Sequence, residues 1–251
     1  ALILGASVFM TGQVWAAKMV KDPSTGKMIK APQYGGKLVI AALSDEPPHA
    51  DTWWGVTSMW AISPVLEKLG MVDWAVDRDE WDLKSGFTPL EVVKPHLAES
   101  YETPDPLTFV FHLRPGIRWH DKAPMNGREL VAEDIVFNYH RMTGLGSGFS
   151  EKSPYATNVS ELPFESITAP DKYTVVFKLK KVSFDALDFI YFESHEAAWI
   201  YPPEVIKEHG NAQDWRNLVG TGPYMLTDWT EGSSITWDKN PDYWKDDEKF
   251  P

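Results

Sequence analysis

Residues 107–114 (LTFVFHLR) place Leu107, Phe109, Phe111 and Leu113 on one side and Thr108, Val110, His112 and Arg114 on the other. This period of two marks an antiparallel strand with one packed face. Pro115-Gly116 turns the chain, and residues 117–120 continue as a short partner. A second half-buried strand is predicted where Tyr173, Val175, Phe177 and Leu179 alternate with Thr174, Val176, Lys178 and Lys180. Residues 36–43 form a continuous apolar run of strand length, which predicts a central strand buried on both faces. The loop after it, residues 44–51 with Pro47 and Pro48, would lie at the strand's C-terminal end, where open α/β sheets place ligands. Residues 129–142 set Val131, Ile135, Tyr139 and Met142 at helical spacing, with Glu133 and Asp134 at the positive end and Gly144, Gly146 and Gly148 in the loop that follows. Residues 52–70 predict a helix ending near Gly70 and kinked by Pro64. A short helix is predicted over 202–209, before Gly210, and a hairpin over 224–229 and 234–239, around Glu231-Gly232. Residues 73–90, acidic and holding Trp74 and Trp81, read as an irregular insertion, and no internal repeat is visible.

The first 17 residues carry no charge. Val14 and Ala16 suit the −3 and −1 positions of a signal-peptidase site before Ala17, with an apolar stretch over 2–10. Thr11, Gly12 and Gln13 cut the run short of the roughly 20 apolar residues needed to cross a bilayer. The expectation is a signal-peptide remnant over 1–16 and a polar linker over 17–35 punctuated by Pro23, Gly26 and Pro32. The chain stops at Pro251, soon after a strand-like run, and reads as a fragment of a longer protein.

Composition narrows the function classes. A folded chain of 251 residues buries roughly 70–75% of its extended surface, enough for a substantial core. With 24 Lys and Arg against 36 Asp and Glu, the formal charge of −12 argues against nucleic acid or anionic lipid as partner. The absence of Cys excludes disulfides, Cys-ligated zinc, a thiol nucleophile and a lipid-modified Cys within these residues. Twelve Trp exceed what a core of this size takes up, and part of them is expected on a binding surface.

The chemical motifs fail on inspection. The seven His, at 49, 96, 112, 120, 140, 195 and 209, lack zincin spacing, since His195-Glu196 runs on into Ala-Ala-Trp. Residues 144–148 (GLGSG) carry Leu145 where a nucleophile elbow needs Gly, and Phe149 where a dinucleotide fingerprint needs Gly. Asp77, Asp79 and Asp82 put Asp at the sixth position of an EF-hand loop, which requires Gly. Lys178, Lys180 and Lys181 read as the outer face of a strand rather than a nucleic-acid patch. No catalytic residue, metal or cofactor is called, and binding is the leading class.

Three stretches carry a family resemblance. Residues 97–102 (LAESYE), 107–121 (LTFVFHLRPGIRWHD) and 126–137 (NGRELVAEDIVF) resemble the signature region of the oligopeptide/dipeptide-type extracellular solute-binding proteins of ABC transporters, family 5. Residues 220–224 (GTGPY) and 240–244 (NPDYW) resemble a second signature, and Gly35-Gly36 through Glu46-Pro47-Pro48 to Asp51 resembles the start of the mature domain. In this chain Val131 stands where the family commonly has Ser or Thr; without a capping hydroxyl the helix start is weakened by about 1 kcal/mol.

The resemblance implies an α/β fold of the periplasmic-binding-protein type II kind. A discontinuous ligand lobe (36–58 and 181–251) would flank an inserted α+β domain (59–180), with the second ligand lobe beyond these residues. It implies a secreted monomer, in the periplasm or on the outer face of the cell membrane, that captures a peptide or other small solute by lobe closure and delivers it to ABC permease subunits. Candidate ligand contacts are Glu46, Pro47, Pro48 and His49, with Trp53, Trp54 and Tyr224. Pro47 and Pro48 would offer a peptide only carbonyls. Trp53 and Trp54 are placed to stack on a sugar or cover a side chain, or to pack between the lobe and the inserted domain. Tyr224 and Trp229 read as core packing or cleft. Peptide is the first reading and oligosaccharide the alternative; a secreted hydrolase and a sensor or chaperone module are further rivals.

Overall fold

The computed structural model describes residues 18–22, 26–31, 35–40, 50–54, 59–74, 76–77, 79–81, 88–146, 148–191 and 198–245. By contacts these fall into two units, residues 18–40 and residues 50–245.

In the first unit, β1 (Met19–Lys21) pairs antiparallel with β2 (Met28–Lys30), Met19 opposite Lys30. Within the stretch read as a linker, residues 19–21 and 28–30 thus form a short hairpin. Its turn closes through Asp22 N–H to the Lys27 carbonyl (2.8 Å) and Gly26 N–H to the Asp22 carbonyl (2.7 Å), with Gly26 at φ 69°. Strands of three residues are too short to show a period, which is why the sequence reads as linker. Residues 37–40 of the predicted central strand are in no regular element. Leu38, Val39 and Ile40 are 84%, 78% and 62% exposed, because among the described residues no strand pairs with them. Residues 41–43 lie outside the described residues.

The second unit opens with a single helical turn, α1 (Met59–Ile62), where a long helix was predicted. Pro64 ends it, and the backbone beyond bonds to distant segments: the Pro64, Val65 and Glu67 carbonyls accept N–H bonds from Tyr224, Gly222 and Ile200 at 3.1, 2.9 and 3.0 Å. Residues 65–69 are buried all the same. Gly70 caps no helix. It starts β3 (Gly70–Val72), paired with β4 (Val93–Pro95), and a Cβ there would meet the Tyr191 ring at 2.6 Å.

A four-stranded antiparallel sheet follows, ordered β5 (Ala98–Asp105), β6 (Thr108–Leu113), β8 (Thr174–Leu179), β7 (Phe164–Asp171). Both alternating segments are its central strands, Phe109 opposite Phe177 and Phe111 opposite Val175. Phe109, Phe111, Leu113, Val175, Phe177 and Leu179 all face the core. Helix α2 (Ala132–Thr143) lies against β7 and β8, and its Tyr139 meets Phe177 edge-on at 4.8 Å. Burying each such aromatic side chain stabilises the fold by about 1.5–3 kcal/mol.

The start of α2 meets the Val131 problem from the other direction. Val131 supplies no side-chain cap, but the Asp134 carboxylate accepts the Val131 N–H at 3.0 Å, half of a capping box. Arg128 holds that carboxylate with two guanidinium bonds (2.8 and 2.7 Å) and reaches Glu204 with two more. Gly144 closes the helix in the left-handed region. The short helices α3 (Thr157–Ser160), α4 (Ala186–Tyr191) and α5 (Pro203–His209) follow, the last capped by Gly210 as predicted. The unit ends in the predicted hairpin, β9 (Tyr224–Thr230) with β10 (Ser234–Lys239).

Residues 220–224 lead into β9, and packing gives the reason for their glycines. A Cβ on Gly220 would lie 1.8 Å from the Val65 carbonyl oxygen, and one on Gly222 2.6 Å from that of Pro64. Backbone stacks directly on backbone, and only glycine fits.

Candidate ligand-contacting site

Glu46, Pro47, Pro48 and His49 lie outside the described residues. The segment that continues their loop, residues 50–54, is anchored from several sides. The Asp51 carboxylate is fully buried and accepts two bonds from Arg141 (3.0 and 2.6 Å), the Ala212 N–H (2.8 Å) and the Trp53 N–H (3.1 Å). A buried charge requires such saturation, since desolvation is offset only when its lone pairs are filled. Tyr201 donates its hydroxyl to the Ala50 carbonyl (2.9 Å) and accepts the Thr52 N–H (3.2 Å); burial pushes its phenol well above the usual tyrosine range.

Trp53 is half-buried. Its indole N–H donates to the Arg141 carbonyl (3.0 Å), its own carbonyl accepts from Ser153 Oγ (2.8 Å), and the Arg141 guanidinium lies 5.9 Å from its ring centre. Trp54 meets Trp53 edge-on at 4.7 Å and is 51% exposed. The structure thus brings these two candidates together. Tyr224 sits on β9, 45% exposed, and among the described residues no hydrogen bond or ring contact links it to the tryptophan pair. Trp229 is partly buried against the core.

A second network, missed from sequence, centres on Glu67. Its buried carboxylate accepts from His96 Nε2 (2.6 Å), Thr221 Oγ1 (2.7 Å), the Tyr243 hydroxyl (2.8 Å) and the Trp244 indole N–H (2.9 Å). Because a carboxylate only accepts, His96 carries its proton on Nε2, and its buried Nδ1 has no partner. Glu67 thereby joins the 220–224 and 240–244 motifs to the strand pair β3–β4. Burial beside this carboxylate drives the Tyr243 phenol far above its ordinary value.

His120 and His140 are structural. His120 Nε2 donates to the Gly222 carbonyl (2.9 Å) while Nδ1 accepts the Gly220 N–H (3.3 Å), which fixes a neutral tautomer; burial lowers its pKa against the opposing pull of the Gly222 carbonyl. His140 Nε2 donates to the Ile167 carbonyl (3.0 Å), and burial lowers its pKa as well. Among the described residues, no group of three or more His, Asp or Glu is placed to hold a metal ion. A surface cavity of about 430 Å³, lined by Glu99, Arg114, Ile117 and Trp244 among others, is not lined by Trp53, Trp54 or Tyr224.

The profile of the bacterial extracellular solute-binding proteins, family 5 Middle, matches residues 92–251. The chain belongs to this family. The family 5 chain is 31% identical over 169 residues to Di/tripeptide-binding protein 1 of Pseudomonas aeruginosa, covering 62% of this chain and 30% of that protein. It is 30% identical over 176 residues to the periplasmic oligopeptide-binding protein OppA of Haemophilus influenzae, with the same two coverages. It thus spans about three tenths of the length of these relatives. Among solved structures, DppA of Helicobacter pylori in complex with the peptide STSA matches 80% of this chain and 39% of its own at TM-score 0.61 and 24% identity. H. influenzae OppA in complex with the peptide RPPGFSPFR matches 78% and 38% at TM-score 0.56 and 25% identity. The fold is that of part of a periplasmic binding protein.

Proposed function

We propose that this family 5 chain is the N-terminal portion of the extracytoplasmic solute-binding component of an ABC importer, which captures peptides by closure of two lobes and delivers them to membrane permease subunits. The observation that carries the reading is the family match over residues 92–251, joined to relatives whose names state dipeptide or oligopeptide binding. In this reading residues 36–58 and 181–251 contribute to one ligand lobe and residues 59–180 are the inserted domain. The protein acts as a monomer, without cofactor, outside the cytoplasmic membrane. Glu46, Pro47, Pro48, His49, Trp53, Trp54 and Tyr224 are its proposed ligand contacts. Closure follows from solute contacts to both lobes, which favour the closed state by the differential affinity. Isothermal titration of the full-length gene product with defined di- to pentapeptides tests this: saturable binding is expected, and no heat with any of them would overturn it.

A sugar-bearing solute is the second reading, and the exposed indole of Trp54 favours it, because an open aromatic face also suits a pyranose. Oligosaccharide titration of the same protein separates the two.

A further inference from the structure

We propose that the buried Asp51–Arg141 ion pair is a positioning element of the solute site: acting through Trp53, it fixes Trp54 as a preset platform for an apolar or aromatic side chain of the solute. This rests on the reading of Trp54 as ligand-facing.

An exposed tryptophan gains little for binding if its ring must be immobilised when the ligand arrives, so a useful platform is held still beforehand. Trp54 is held by its own N–H on the Asp51 carbonyl (3.2 Å) and through its neighbour, whose ring it meets edge-on at 4.7 Å. Trp53 is tied at its N–H by Asp51, at its indole N–H by the Arg141 carbonyl and at its own carbonyl by Ser153. The Arg141 carbonyl is available because it lies among the last four of α2, which have no partner within the helix. Arg141 therefore contributes twice, with its guanidinium on Asp51 and its carbonyl on the Trp53 indole.

The choice of an ion pair at this place is informative. Buried pairs are often replaceable by apolar residues without loss of stability, so their geometry matters more than their energy. Two parallel guanidinium–carboxylate bonds define orientation as a single point charge cannot. The charges of Asp51 and Arg141 cancel, and the pair therefore adds no net charge beside the platform. That selects an apolar or aromatic side chain, whose ring prefers an offset or edge-on approach.

The test uses the full-length gene product labelled with 5-fluorotryptophan, its Trp54 resonance assigned by Trp54→Phe, together with affinities for a peptide pair differing only by Phe against Gly. In Arg141→Lys, which keeps the charge and loses the fork, the Trp54 resonance is expected to shift or broaden without ligand, and the Phe-over-Gly preference to fall about threefold to tenfold. Trp54→Ala is expected to lose the same preference. If Arg141→Lys does not fold, Asp51→Asn carries the same readings. An unchanged Trp54 resonance in the folded variant overturns the positioning role, even where Trp54→Ala alters binding. An unchanged preference in Trp54→Ala overturns the ligand-facing reading, even where the resonance responds.

Discussion

Glu67 gives the sharpest test of how the unit is held together. Replacing it with alanine leaves four donors without their acceptor: the His96 ring, the Thr221 hydroxyl, the Tyr243 hydroxyl and the Trp244 indole. Each unsatisfied buried donor costs about 1–3 kcal/mol, and their sum is an upper bound because water and relaxation recover part of it. Removing one partner of a buried charge network typically costs about 3–5 kcal/mol, which is the value to expect here. At about 2–4 °C per kcal/mol for a domain of this size, Tm should fall by about 6–20 °C. Glu67→Gln keeps the volume but turns an amide against two of the four donors, and about half that loss is expected. Calorimetry gives Tm, and urea unfolding followed by tryptophan emission should show a lower midpoint with an unchanged slope. A Tm within about 2 °C of the parent for Glu67→Ala would mean that water replaces those bonds at no cost, and that Glu67 does not hold the unit together.

Three further outcomes follow from named contacts. Gly220→Ala drives a Cβ into the Val65 carbonyl and should cost more than about 3 kcal/mol, whereas Gly148→Ala, at φ 84° in open space, should cost only about 1–2 kcal/mol; circular dichroism melts compare them. Phe177→Ala should lose about 3–5 kcal/mol by opening a cavity under Tyr139 and Phe111, read in the same melts. In acid, hydrogen bonds from Lys172, Tyr173 and the Gly116 N–H hold Glu129 down at about 2 from its ordinary 4.5. Its stabilisation is therefore present above pH 4.5 and lost as pH falls toward 2. Solvent screening limits it to about 1–2 kcal/mol, and Glu129→Gln should flatten the stability curve in that window. His120, depressed by burial, adds a loss that begins below its ordinary 6.5, because protonating Nδ1 breaks its bond from the Gly220 N–H.

The elements legible in the sequence are those in which one physical demand acts along a long enough window. β6 and β8 show clean alternation because each packs one face, and α2 and the β9–β10 hairpin announce their ends with glycines. Residues 52–70 defeat the same reasoning: Ala61, Ile62, Val65, Leu66 and Leu69 are buried, but the Pro64, Val65 and Glu67 carbonyls answer to residues 224, 222 and 200. The apolar run at 37–40 shows the converse, strand-like chemistry without a paired neighbour among the described residues. At the site, adjacency made Trp53 and Trp54 visible. Their anchor was not, because Asp51 and Arg141 are separated by 90 positions, and Glu67 and Trp244 by 177.

The central claim, peptide capture, is met most directly by native mass spectrometry of the full-length gene product, purified from cells and then titrated with peptide and oligosaccharide pools. Co-purified masses that resolve into peptides, and a saturable one-to-one adduct with peptide, are expected. Saturable adducts with oligosaccharide alone, and none with peptide at any concentration, would contradict it.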